Sequence, residues 1–144
     1  MGEGEGGGEK AELVSPSPSS PPAKGGESYI LEVSMNIAVC VKRIPKTAEA
    51  DIFIEKDGTD IKKDHLVFHL NDWDGYAVRE AALLKEKHGG EVTVITIGPE
   101  ESKEVLTRCL AMGADRALRI EGPAVLDGHL IANILSRAIK NQFF

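Results

Sequence analysis

Apolar positions recur along this chain with differing periods, and the changes of period divide it into elements. Ile37-Ala38-Val39-Cys40-Val41 is unbroken apolar sequence, which predicts a strand covered on both faces, and Pro45 ends it. From Asp51 to Lys63, Ile52 and Ile54 alternate with polar neighbours and Asp57-Gly58 offers a turn, so a hairpin is expected. Asn71 or Asp72 can cap a helix running to Lys87, with Trp73, Ala77, Ala81 and Leu84 on one face and Gly89-Gly90 as its stop. Val92 to Ile97 reads as a second buried strand. Pro99 opens a helix with Glu100 and Glu101 in its first turn, where negative charge suits the dipole; its apolar face is Val105, Leu106, Cys109 and Leu110, and Gly113 closes it. A short strand, Ala117 to Ile120, follows. A third helix, from about Leu126 to Lys140, is expected to bury Leu130, Ile131, Ile134, Leu135 and Ile139.

Strands alternating with helices imply parallel β-α-β units, and hence an α/β fold with an open parallel sheet and helices on both faces. The sequence stops at Phe144, after the third helix, where the pattern calls for another strand. A strand apolar on both faces belongs inside a sheet, yet three strands laid in succession would leave Ile37–Val41 at an edge. Its neighbour is therefore expected beyond residue 144 or from a partner chain.

Composition changes this picture at one place. Residues 1–34 hold seven of the fifteen glycines, four of the seven prolines and six serines, with six glutamates against two lysines. Such a segment buries too little side chain to offset the entropy of ordering it, so it reads as a disordered leader ahead of the folded part, residues 35–144. It has neither the basic and apolar regions of a signal peptide nor the arginines of a transit peptide. Met35 as the true start, with residues 1–34 translated upstream sequence, is preferred to an acidic tether. The whole chain has 144 residues, one domain's worth, and 23 acidic against 17 basic residues, net −6. That balance argues against nucleic acid or an anionic membrane surface as partner. No apolar run approaches the roughly 20 residues that span a bilayer. Two cysteines, Cys40 and Cys109, are too few for a disulfide scaffold or a zinc site, which favours a reducing cytoplasm.

In an open parallel sheet, ligands bind beyond the carboxyl ends of the strands. That region comprises the residues after Val41, the stretch Asn71–Asp74 and the turn Ile97-Gly98-Pro99. Neither G-x-G-x-x-G after the first strand nor a P-loop sequence is present. The residues nevertheless form a set. Met35-Asn36-Ile37-Ala38-Val39-Cys40-Val41-Lys42-Arg43-Ile44-Pro45, Asn71 leading into Ala77-Val78-Arg79-Glu80-Ala81-Ala82, Glu91–Pro99, and Ala111-Met112-Gly113-Ala114-Asp115-Arg116-Ala117 resemble, in order and spacing, the beta subunit of electron transfer flavoproteins. The resemblance covers essentially all of residues 35–140 and makes them the N-terminal part of that family's α/β domain, an adenine-nucleotide-binding three-layer fold. It implies a heterodimer with an alpha subunit that carries electrons from flavin dehydrogenases towards a quinone reductase. The redox FAD sits mainly on the alpha subunit, and the beta subunit holds AMP or a second FAD. Family nucleotide contacts carry over onto Cys40, Asn71, Asp72, Trp73, Asp74 and Ile97. Where the family commonly has Asn-Pro, this chain has Asn71-Asp72, and carboxylates beside a phosphate are unfavourable unless they point away. The half-site present is expected to bind nucleotide weakly.

Plainer roles stand beside these. Asp72 and Asp74 are expected as helix caps rather than an acid/base pair or calcium ligands. Trp73 is expected in packing rather than stacked on adenine. Cys109 reads as a small core residue, and His65 and His69 lack the company a metal would need. Lys42 and Arg43 could face phosphate, a subunit interface or solvent. Nothing near Cys40 except these two would lower its pKa, and no catalytic residue is proposed. Two rival readings are a single-chain nucleotide-binding module of the universal-stress-protein type and a truncated, non-functional remnant.

Overall fold

The β-branched run Val92-Thr93-Val94-Ile95-Thr96-Ile97 favours extended backbone, and it becomes the centre of the sheet in the computed structural model of the protein, which describes residues 11–14, 34–48, 50–123 and 126–143. In chain order the elements are β1 (Ala11–Val14), β2 (Met35–Cys40), β3 (Arg43–Pro45), β4 (Phe68–Leu70), α1 (Asp72–His88), β5 (Gly90–Gly98), α2 (Lys103–Ala111), β6 (Arg116–Glu121) and α3 (Gly128–Phe143). The main sheet runs β1-β6-β5-β2. Strands β2, β5 and β6 are parallel, and β1 lies antiparallel on β6. Strands β3 and β4 form a separate antiparallel pair.

Helices cover both faces, as expected. On one face Val39 and Val41 of the first strand segment pack with Val92 and Val94, under Val78 and Ala81 of α1 and Val105, Leu106 and Cys109 of α2. On the other, Ile95, Leu118 and Ile120 pack against Ile134, Leu135, Ala138 and Ile139 of α3. Helix α2 keeps its expected apolar face, although a short 3₁₀ turn, Glu100–Ser102, precedes it. The hairpin also forms. Ile54 bridges Ile61, and Asp57 accepts hydrogen bonds from the Thr59 amide at 3.2 Å and hydroxyl at 2.8 Å.

Other expectations need correction. Strand β2 pairs only with β5 among the described residues, and Ala38 and Cys40 are exposed. An apolar run of small residues does not reveal whether one face is covered or two, and here it is one. On α1 the buried positions are Val78, Ala81 and Ala82, whereas Ala77 and Trp73 are exposed. The inner face is set by close approach to the sheet, which small residues permit and an indole does not. Leu130, in the first turn of α3, stays 43% exposed. Strands β3 and β4 were not anticipated, because three residues carry no readable period. The leader assigned to residues 1–34 falls mostly outside the described residues. Within it, Ala11-Glu12-Leu13-Val14 forms β1, and these four residues belong to the leader's longest run without Gly, Pro or Ser.

Asp115 ties the layers together. Its carboxylate accepts from the Val92 amide at 2.8 Å and from Lys85 Nζ of α1 at 2.9 Å, while its own amide donates to the Val92 carbonyl at 2.9 Å. Lys85 Nζ also donates to the Gly113 carbonyl at 2.8 Å. Gly113 has φ +115°, and a Cβ there would lie 3.1 Å from Cβ of Ala82, so the turn between α2 and β6 needs glycine twice over. Replacing Asp115 with Ala leaves the amide of fully buried Val92 without its acceptor and is expected to cost about 1–3 kcal/mol. Lys85→Met, which removes only a partly exposed ion pair and one further hydrogen bond, should cost about 1 kcal/mol. Urea unfolding midpoints should therefore fall in the order wild type, Lys85→Met, Asp115→Ala.

Candidate functional site

Past Cys40 the chain must leave the sheet, and how it leaves shapes the site. The Val41 amide still donates to the Ile95 carbonyl at 2.8 Å, so pairing with β5 continues one residue beyond β2. The Lys42 amide then donates to Asp74 Oδ2 at 2.8 Å, and the Lys42 carbonyl accepts from the Asn71 amide at 3.1 Å. Asn71 Nδ2 in turn donates to Asp74 Oδ1 at 3.0 Å. The start of α1 is thus clamped to the exit of β2. Asn71 occupies the N-cap position, as expected, but its side chain makes no capping hydrogen bond. Asp74 spends its carboxylate on the loop rather than on the helix's own amides.

The clamp helps to hold open a cleft of about 880 Å³ at the carboxyl ends of β2 and β5. Cys40, Ile95 and Ile97 form its floor. Pro45, Ile61, Leu66 and Phe68 line one wall, and Leu126, Ile131 and Leu135 the other. Polar groups reach it from Lys42, Arg43, Asp60, Lys63, Asp74, Glu101 and Ser102, with Lys63 ion-paired to Asp60. Such a cavity, largely apolar with a few polar groups, suits a planar aromatic ligand with a charged end. The Arg43 guanidinium carbon lies 3.9 Å over the centre of the Phe68 ring, a cation–π contact that joins β3 to β4 at the wall. Ser102 is buried, and a Cβ on Gly98 would come within 2.4 Å of its Oγ, so glycine at the end of β5 lets the 3₁₀ turn close over the strand end.

Of the six residues singled out from sequence, Cys40, Asp74 and Ile97 line this cleft. Asn71 stands behind it and acts through Asp74. Asn71 and Asp72 border a different, smaller hollow of about 260 Å³ between α1 and α2, together with Tyr76, Arg79 and Arg108. Trp73 is 78% exposed, against an expectation of packing, and its ring centre lies 6.1 Å from that of Tyr76. Sequence reasoning missed Phe68, Ser102 and Leu135 as cleft residues. None carries a motif, and each arrives from an element whose own face is set by packing.

The two thiols stay protonated at neutral pH. Partial desolvation in the cleft, and then the Asp74 carboxylate, push the Cys40 thiol above its ordinary value. Burial takes Cys109 up to about 11, with Asp74 adding to the rise and Arg108 opposing it. His65 Nε2 donates to the Asp51 carbonyl at 2.8 Å, with its ring 5.4 Å from that of Phe53. Among the described residues, no three His, Cys, Asp or Glu side chains gather as a metal would require. No described helix is long and apolar enough to cross a membrane.

Residues 61–144 match the profile of the electron transfer flavoprotein domain. The chain is 38% identical over 112 residues to the electron transfer flavoprotein subunit beta of Methylophilus methylotrophus, covering 75% of this chain and 42% of that protein. With the subunit beta of Bacillus subtilis (strain 168) it shares 40% identity over 113 residues, covering 76% and 43%. Protein FixA of Azorhizobium caulinodans is 37% identical over 84 residues, covering 58% of this chain and 29% of its own. The chain spans less than half the length of these relatives.

The position of Asp74 gives a direct check on the cleft's electrostatics. Alkylation of Cys40 by iodoacetamide should follow a pH profile displaced above that of an ordinary thiol, since only the thiolate reacts. Asp74→Asn keeps an acceptor for the Lys42 amide but removes the charge, and the profile should then move to lower pH. Identical profiles for the two proteins would mean that the carboxylate does not act on this thiol.

Proposed function

We propose a function from one premise, that this chain belongs to the electron transfer flavoprotein family. Its role is that of a beta-type electron-transfer subunit rather than an enzyme acting alone. It pairs with an alpha-type subunit in the cytoplasm, and the assembled complex takes electrons from flavin dehydrogenases and passes them towards a quinone reductase. The cleft at the ends of β2 and β5 holds the adenosine part of AMP or of a second FAD. The observation that carries this reading is the cleft itself, about 880 Å³ with an apolar floor, at the strand ends of a chain from this family.

The residues present fit such a group. Cys40 and Ile97 flank the floor on neighbouring strands, where main-chain groups at the strand ends can meet the edge of an adenine. Lys42 and Lys63 would hold a phosphate at the rim, Lys63 also being the ion-pair partner of Asp60. Asp74, a poor neighbour for phosphate, has both its oxygens engaged by Asn71 and the Lys42 amide, and Lys42 Nζ stands 3.7 Å away as a partial counter-charge. When FAD is the occupant, it supplies the one- and two-electron chemistry, and AMP serves only as a structural ligand.

Titration calorimetry on the full chain tests the nucleotide part. AMP should bind with a Kd of about 0.1–1 mM, a modest affinity for an open site with a carboxylate at its rim. Cys40→Trp places an indole over the floor from an exposed position on β2, and should abolish the heat of binding without lowering the melting temperature. Absence of binding by the unaltered chain at several times that concentration would overturn the nucleotide site. Co-expression with an alpha-type subunit tests the partner: a stable complex bearing flavin absorbance is expected, and two proteins that purify separately would refute the pairing.

A further inference from the structure

The edge of β6 is an awkward surface to leave open. Ala117, Leu118 and Ile120 are at most 3% exposed and Arg119 only 9%, so this strand has the side-chain character of a sheet interior. Strand β5 pairs with one side of it. A bare edge of this kind offers unpaired amides and carbonyls to any strand that approaches, above all to the same edge of a second molecule. In this structure the other side is taken by β1, in the register Ala11↔Ile120, Glu12↔Arg119, Leu13↔Leu118 and Val14↔Ala117. An antiparallel strand on an otherwise parallel sheet is also a common way to end such a sheet.

We infer that Ala11–Val14 is an edge guard held in the same chain, which closes β6 and prevents a second copy from pairing through that edge. This role does not depend on nucleotide binding or on electron transfer.

Hydrogen exchange and sedimentation velocity on the full chain test it. Successive amides of a strand point in opposite directions, so replacing both Glu12 and Leu13 with Pro removes a ladder donor whichever way β1 is oriented. In that double variant, amides of Ala117–Ile120 that face β1 should exchange about tenfold faster, while those of Val78–Ala82 in α1 keep their protection. The double variant should self-associate more strongly than the wild-type chain at rising concentration. Glu12→Lys, which leaves every backbone donor in place but sets two cations opposite each other, should show the same changes in smaller measure. Unchanged exchange at Ala117–Ile120, or a double variant that associates no more strongly than wild type with its edge exposed, would overturn the proposal. Loss of α1 protection in the double variant would mark general unfolding and transfer the decision to Glu12→Lys, read by the same two criteria.

Discussion

A single carboxylate, that of Asp115, joins three parts of the fold that are far apart in sequence. It sits just before β6, receives the amide that begins the buried part of β5, and receives the ammonium of Lys85 from α1. If Asp115 is displaced, the register of β6 on β5 loses its first anchor, and α1 loses its tie to the turn that precedes β6. Gly113 is subordinate to the same constraint. The chain must reverse from α2 into β6 within a few residues, beside Ala82 and with φ +115°, so that the next residue but one arrives under the Val92 amide. The stretch Ala111–Ala117 is therefore a structural joint. It is built from hydrogen bonding and close packing, and none of its residues lines the cleft.

Asp74 repeats the device at the other end of the sheet. It too accepts from a backbone amide where a strand ends, and it too is anchored by a neighbouring polar side chain, here Asn71. The difference lies in what surrounds it. Asp115 has its cation at 2.9 Å, whereas Lys42 Nζ stands 3.7 Å from Asp74, largely exposed, so more of Asp74's charge is felt in the cleft. The raised thiols of Cys40 and Cys109 both register that charge. One acid thus serves mainly the fold, and the other serves the fold while setting the electrostatics of the site.

The parts of this arrangement that could be read from sequence are those with a long period or a local code. The β-branched run of β5, the i, i+4 apolar face of α2 and the glycines that stop α1 and turn after α2 all announced themselves. So did the general location of the site, since strand ends in a parallel sheet are where ligands bind. What could not be read was decided by distant contacts. Trp73 and Ala81 fit one helical stripe, but the sheet accepts Val78, Ala81 and Ala82 because small side chains let α1 approach closely. Ala38 and Cys40 are apolar, yet whether a second layer covers them is not a local property. Asp74 looked like a cap because Asx residues start helices. Its actual partner, the Lys42 amide, is 32 residues away and invisible to any local rule.

The cleft's own side chains limit what this chain can contribute to redox chemistry. Cys40 is its one thiol, its pKa raised by partial desolvation and by Asp74, and Cys109, the other thiol among the described residues, lies buried under the sheet with its pKa at about 11. Neither is a thiolate at neutral pH, so neither is poised to enter thiol exchange or to take up an oxidant readily. The remaining lining is aliphatic, aromatic, charged of both signs or, at Ser102, a hydroxyl, and none of it is redox-active. Under the proposed function the electrons would therefore reside on a bound group, and the protein's part would be to shape the cavity and set the local charge. The sequence between Met35 and Ile97 is arranged accordingly. Two adjacent strands supply an apolar floor, and Asp74, committed to the Lys42 amide, ties the start of α1 to the exit of β2 at the rim.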